Sequence, residues 1–313
     1  MSRLSVIVCA HNPRQDFLHR VLDALKAQTL SKDTWELLLI DNGSKEPLAK
    51  TFDLSWHPVG KLIREDELGL TPARLRGIRD STGELLVFVD DDNLLSPDYL
   101  SECQDISAKF TFLGSWGGQV IPEYEKPPSP EMQPFLRYLL IREFQEIRWS
   151  NTVNFHETAP CGAGMCLRRA VAEEYVSLLA RDPRRKVLDR RGDLIFACGD
   201  TDMALCARRL GLGTGVFPNL KLLHLIPASR VTESFFLKAA FGGGYSFTLL
   251  EYLYGITRTK PEPNLLRRVV GFARLMTRSR LDRRLAAEEK KGQTRAWTLI
   301  EQWEAEKTVA SKI

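Results

Sequence analysis

Asp90, Asp91 and Asp92 follow the apolar run Leu85–Val89 without a spacer, and Asn93 comes next. Three adjacent like charges repel, and desolvating them costs several kcal/mol per ion unless a cation pairs with them. A carboxylate cluster at a strand end can bind a hard divalent ion, act as an acid/base pair, or cap the turn that follows. Mg²⁺ and Mn²⁺ prefer oxygen ligands and are often held by one or two carboxylates plus a substrate's phosphates. Asp90 and Asp92, flanking Asp91, give the D-x-D arrangement that suits such an ion. The plainer alternative is a turn before Pro97 with the other acids solvated.

Further polar groups sit at comparable places. His11 and Asn12 follow the run ending at Ala10, and Asp41 stands between "LLLI" and "NGS". Asp41 reads either as an Asx turn closing a strand or as a carboxylate accepting from a base or ribose. Arg74 and Arg76 in "GLTPARLRG" could pair with phosphate, or with an acid of the cluster. Asp200 and Asp202 bracket Thr201 where a helix begins. One of them suffices as an N-cap, so the second acid needs its own reason. His224, inside the apolar "LKLLHLIP", is a core histidine or a contact to metal or phosphate. Competing sites are absent: there is no P-loop, GxSxG or HExxH, "CGAGMC" lacks the third glycine of a dinucleotide fingerprint, and the cysteines lack zinc spacing.

The elements that must position these groups alternate. Leu4–Ala10, "WELLLID", "KLIR", Leu85–Val89 and "GGQVIP" read as strands, and 16–28, 72–80 and 97–110 as helices. This order predicts an α/β fold, a mostly parallel sheet with helices on both faces. In such sheets ligands bind outside the carboxyl ends of the strands, where "HN", "DNGS" and "DDDN" all fall. Residues 122–134, "PEYEKPPSPEMQP", read as a long surface loop. A short strand and a helix follow "CGAG", "GDTD" opens a helix that stops at Gly211 or Gly213, and the chain beyond Val231 becomes helical and basic.

With 43% hydrophobic and 27% charged residues among 313, and a formal net charge of +4, the chain is an ordinary globular one with no case for nucleic-acid binding. Six cysteines without paired spacing favour a reducing compartment. "LSVIVCA" is too short for a signal-peptide core, and no run reaches the roughly 18 apolar residues of a membrane span. The expectation is a cytoplasmic protein, at most attached to a membrane surface. A surface contact is suggested by residues 258–291, with 11 Lys/Arg against 4 Asp/Glu and an apolar stripe through Leu265, Leu266, Val269, Val270, Ala273 and Met276.

Taken in order, "SVIVCAHNP", "LLLIDNGS", "GLTPARLRGI", "GELLVFVDDDN", "GAGMCLRR", "GDTDMALCARRLG" and "HLIPASR" resemble the family 2 glycosyltransferases, from about Leu4 to Arg230. The resemblance implies a GT-A, Rossmann-like nucleotide-diphospho-sugar transferase domain over 1–230, with 231–313 as a helical basic appendage. It implies an inverting, metal-dependent enzyme using Mn²⁺ or Mg²⁺, a nucleotide-sugar donor (UDP-sugar as first choice) and a hydroxyl acceptor on a glycan, lipid-linked or small molecule. Ala10, His11, Asn12 and Asp41 would hold base and ribose, and Arg74, Asp90 and Asp91 would help hold the donor. Asp92, Asp90 and His224 would hold the metal. Asp200, with Asp202 as the alternative, would be the general base. Two positions depart from the family pattern: Leu75 replaces a frequent Asn, and Gly199 replaces the Glu of a Glu-Asp signature. The rivals are a sugar-nucleotide nucleotidyltransferase, which needs a Gly-rich loop that "HNPRQD" lacks, and an inactive nucleotide-sugar-binding protein.

Overall fold

The computed structural model describes residues 3–152, 157–189, 198–260 and 279–310. Continuous apolar runs make strands that are buried on both faces, as a sheet covered by helices requires. β1 (Leu4–Ala10) and β2 (Trp35–Asn42) are buried along their whole length, and β3 (Gly60–Glu65) is the half-exposed edge. β4 (Leu85–Asp90) completes a parallel set in the order β3-β2-β1-β4.

The second half departs from the mostly parallel expectation. β5 (Asn93–Leu95), β7 (Arg148–Ser150) and β8 (Met165–Arg168) are short and antiparallel to their neighbours, while β6 (Leu113–Tyr124) and β9 (Gly213–Ile226) run parallel to each other. The sheet continues β4-β8-β6-β9-β5, with β7 also on β9. Local apolar runs carry no direction, so this mixture was not legible in them. β6 also runs through Pro122, where a loop was expected. Proline is tolerated in a strand where a ladder side is unused, and β8 pairs with β6 only at Ser115 and Trp116.

Side chains alternate across β1. Val6 and Val8 join Leu18, Val21 and Leu25 of α1 (Gln15–Lys26) and Tyr99, Leu100 and Cys103 of α3 (Tyr99–Lys109). Ile7 and Cys9 meet α2 (Leu70–Asp80), α4 (Arg169–Arg181) and α5 (Gly199–Arg209) on the other face. The period of two thus builds two helical layers on one sheet.

α6 (Glu233–Leu253) and α7 (Arg280–Ala310) form the C-terminal part. Their apolar side chains join Leu188, Cys198 and Leu205 in one cluster, and Phe135, Leu139 and Ile226 in another. The second half of the expected 122–134 loop is therefore followed by a 3-10 segment (Gln133–Leu139) that packs on these helices. The stripe at 265–276 lies outside the described residues. Among the described residues, no helix is long and apolar enough to cross a membrane.

Glu36, at the end of the sheet away from the acidic turns, is a fully buried acid. Its Oε1 accepts from Ser5 Oγ at 2.7 Å and from Thr82 Oγ1 at 2.9 Å, and Lys61 Nζ donates to Oε2 at 3.2 Å. Burial pushes its pKa up, but the hydrogen bonds from Thr82, Ser5 and Lys61 outweigh it and bring the carboxyl down to about 2. A depressed pKa contributes stability that is present above the unfolded value and lost as pH falls through the folded one. The expected size is about 3 kcal/mol, lost between about pH 4.5 and 2. Glu36→Gln should therefore be less stable than wild type at pH 7, with a difference that shrinks towards pH 2 in urea melts. A difference independent of pH would refute the linkage.

Candidate active site

Parallel pairing brings three strand ends level. Ala10 lies opposite Asp41, and Cys9 opposite Asp90. The loops that follow are stitched together. His11 Nδ1 lies 2.5 Å from Asn42 O, Asn12 N donates to Ser44 Oγ at 3.0 Å, and Lys45 N donates to Asn12 Oδ1 at 2.9 Å. Asn12 takes φ +46, a left-handed conformation that Asn tolerates better than most residues. His11 and Asn12 remain exposed beside buried Ala10.

Asp41 is 1% exposed and bound at both oxygens. Ser44 N donates to Oδ1 at 3.0 Å, while Leu48 N and Arg64 Nη1 donate to Oδ2 at 3.1 and 2.8 Å. Burial raises its pKa, and the bonds from Ser44, Leu48 and Arg64 hold it below the usual carboxylate range. It fixes the loop that meets Asn12.

The acidic turn divides. Asp90 ends β4 half-buried, Asp91 is half-buried, and Asp92 is buried. β5 pairs antiparallel with β9, setting Asn93 opposite His224. His224 Nε2 consequently lies 3.5 Å from Asp92 Oδ2. Arg230, from the turn after β9, places Nη1 2.8 Å from the same oxygen and 3.1 Å from His224 Nε2. His224 Nδ1 is buried without a hydrogen-bond partner among the described residues. No three His, Cys, Asp or Glu side chains among the described residues converge as a ready-made metal cage. Asp92 and His224 nevertheless offer an oxygen and a nitrogen ligand side by side. That suits an ion that completes its shell with phosphate and water.

A second acidic group lies across the strand ends. Arg74 is 3% exposed, and its Nη1 donates to Asp189 Oδ2 at 3.2 Å. Burial works against its charge, but Asp189, Asp200 and Asp90 around it more than compensate and raise its pKa. The Cys161 thiol is likewise pushed up, first by burial, with Asp200 and Asp90 adding to it. Asp90 and Asp200 therefore lie near the same two groups, buried Arg74 and half-buried Cys161, although 110 residues separate them in sequence.

The acids opening α5 have different surroundings. Asp200 is half-buried; its Oδ2 accepts from Gly162 N at 2.6 Å and its Oδ1 from Thr201 N at 2.7 Å. Asp202 is 1% exposed and faces away, bonded to Arg185, while Arg185 Nη2 also donates to Leu253 O of α6 at 3.3 Å. Burial pushes Asp202 up to about 6 against the pull of Arg185. A raised carboxyl pKa is a common mark of a catalytic acid or base. Asp202, however, is enclosed and ion-paired with Arg185, whereas Asp200 is half-buried.

Asp189, Arg230 and Gly162 were not singled out from the sequence. Arg230 carried a signal, as the last residue of "HLIPASR". Asp189, within "VLDRRGD", carried none.

Parts of this sequence are similar to known proteins. The glycosyltransferase AglE of Haloferax volcanii is 33% identical over 92 residues, 28% of this chain and 30% of that protein. The glucosyl-dolichyl phosphate glucuronosyltransferase of the same organism is 23% identical over 143 residues, 44% of each chain. The matched region thus spans less than half of either relative. The mannosyltransferase PcManGT from Pyrobaculum calidifontis, solved in complex with GDP-Man and Mn²⁺, superposes with a TM-score of 0.56 at 17% identity over 97% of this chain and 75% of its own. That likeness shows the GT-A-type fold. The model of glycosyl transferase family 2 matches residues 5–176, more than half of the chain, and the chain belongs to that family of glycosyltransferases.

Proposed function

We propose that the chain is an inverting glycosyltransferase that moves a sugar from a nucleoside-diphosphate donor to a hydroxyl acceptor, with a divalent cation at Asp92. The observation that carries this reading is that Asp90, at the end of β4, and Asp200, at the start of α5, both lie near the buried Arg74. In the proposed reaction the acceptor oxygen bonds to C1 of the sugar as the bond from C1 to the diphosphate breaks. The bonding pair leaves with the phosphate, and the hydroxyl proton passes to the Asp200 carboxylate on the opposite side, inverting C1. Positioned base catalysis of this kind contributes ~10²–10⁴-fold.

Asp92 and His224 would hold Mn²⁺ or Mg²⁺, which neutralises charge developing on the leaving diphosphate. Asp90 and Asp91 would help hold the donor beside it, with Arg74 setting the charge between the acidic groups. Ala10, His11 and Asn12 would meet base and ribose. Asp41 would act on them through the loop it fixes, since both its oxygens are engaged. The division at 230 into a transferase part and a helical part belongs to the same reading.

The sequence resemblance makes a UDP-sugar the first choice of donor, and the neighbour PcManGT, solved with GDP-Man, makes a guanosine diphosphate sugar the second. A panel of both, assayed with Mn²⁺ for release of nucleoside diphosphate and read for anomeric configuration by NMR, tests the function. Retention of configuration, or no turnover with any sugar nucleotide and acceptor, would overturn it.

A further inference from the structure

Gly199 and Asp189 occupy one another's neighbourhood. Leu188 O accepts from Cys198 N at 3.2 Å, so the chain before 189 and the start of α5 lie side by side. A Cβ at Gly199 would stand 2.6 Å from Asp189 Cγ, 2.6 Å from its Oδ2 and 3.0 Å from its Cβ. Separations under 3 Å force something to move, and Asp189 is not free to do so. Its Oδ2 accepts from Thr71 Oγ1 at 3.0 Å and from Arg74 Nη1 at 3.2 Å, and the residue is 5% exposed. The space a side chain at 199 would enter is therefore filled by a carboxylate from ten residues earlier.

That carboxylate leads to the reacting group. Arg74 reaches on from Asp189 to Gly162, where a Cβ would stand 2.6 Å from Arg74 Nη2 and 3.2 Å from Asp200 Oδ2. Gly162 N is the donor that fixes Asp200 Oδ2. One continuous set of contacts thus runs from Asp189 through Arg74 and Gly162 to Asp200. We propose that Asp189 is the positioning carboxylate of this site, replacing the acid missing at 199, anchoring Arg74 and so fixing where Asp200 points. This rests on the transferase reading above. It also answers the sequence argument for an inactive protein drawn from Gly199, because the space of a side chain at 199 already holds a carboxylate.

The test uses four variants of the full chain: Asp189→Asn, Asp189→Gly, Gly199→Glu, and Asp189→Gly combined with Gly199→Glu. Asp189→Asn keeps the shape and removes the charge, so it remains informative if Asp189→Gly folds poorly. It should lower kcat by ~10- to 10²-fold, the scale of a misplaced catalytic group, with donor KM unchanged. Gly199→Glu alone should melt well below wild type and lose activity, since both carboxylates claim one space. The double variant should melt above Gly199→Glu and regain at least ~10-fold in kcat over Asp189→Gly. Wild-type kcat in Asp189→Asn, or a folded double variant no better than Asp189→Gly, would overturn the inference. A wild-type chain that turns over no sugar nucleotide would sink the transferase reading separately. The melting order still decides whether positions 189 and 199 compete for one space, and a double variant melting no higher than Gly199→Glu overturns the proposal in that case as well.

Discussion

Asp200→Asn is expected to retain nucleotide affinity and to lose turnover by at least ~10²-fold, the lower end of what a positioned base supplies. The substitution removes the proposed base and leaves the strand ends at β1 and β4 untouched. Cys198, not either acid, is the N-cap of α5, and Asp200 lies in the first turn, so the substitution removes no cap. Asn has one acceptor oxygen in place of two, so the bonds from Gly162 N and Thr201 N can no longer both be made, at a cost of about 1 kcal/mol. Asp202 supplies the contrast. Asp202→Ala leaves the buried Arg185 without its closest partner, and breaking a buried pair in this way costs about 3–5 kcal/mol. That variant should melt well below wild type yet keep much of its kcat at a temperature where it is folded. The checks are kcat, nucleoside-diphosphate affinity by calorimetry and melting temperature for both variants. An active Asp200→Asn beside a folded but inactive Asp202→Ala would reverse the assignment.

The two acids of "GDTD" show how much chemistry a sequence reveals and where it stops. Their spacing says that only one is needed as a cap. It does not say that the other is turned inward, because the groups that close around Asp202, Arg185 and Tyr254, come from 17 and 52 residues away in sequence. Asp41 is similar. An Asx turn after "LLLI" was legible, but Arg64 and Leu48 reach it through folding. The strand ends were legible because β1, β2 and β4 each close on an unbroken apolar run, and such runs end where polar groups begin. The antiparallel insertion of β8 between β4 and β6 was not, because pairing direction depends on contacts between distant segments. Asp189 is the extreme case. An acid among charged residues in "VLDRRGD" looks like surface, and only the glycine ten residues later makes room for it to be buried.

Chelation is the second large effect. Nucleoside-diphosphate binding is expected to be strong with Mn²⁺ and to fall when the ion is removed, by more than the ~10–100-fold that losing an outer partner of a metal ligand costs. The reason lies in the charge already around Asp92. Arg230 lies 2.8 Å from its Oδ2, so the carboxylate already has a guanidinium partner, but a diphosphate arriving there brings two or more further negative charges. A single guanidinium cannot balance both. A doubly charged ion ligated by Asp92 and His224 can, and it releases Arg230 to face phosphate. Asp92→Asn and His224→Ala should therefore each weaken nucleotide binding in Mn²⁺ towards the wild-type value in chelator, and neither should respond further to chelation. Arg230→Gln should keep its dependence on the ion while binding more weakly in both conditions. Calorimetry of UDP and GDP with Mn²⁺ and with chelator, on wild type and the three variants, reads all of these at once. Equal wild-type affinity in the two conditions, with Arg230→Gln as the most damaged variant, would mean that Arg230 alone supplies the positive charge and that Asp92 orients it instead of a metal.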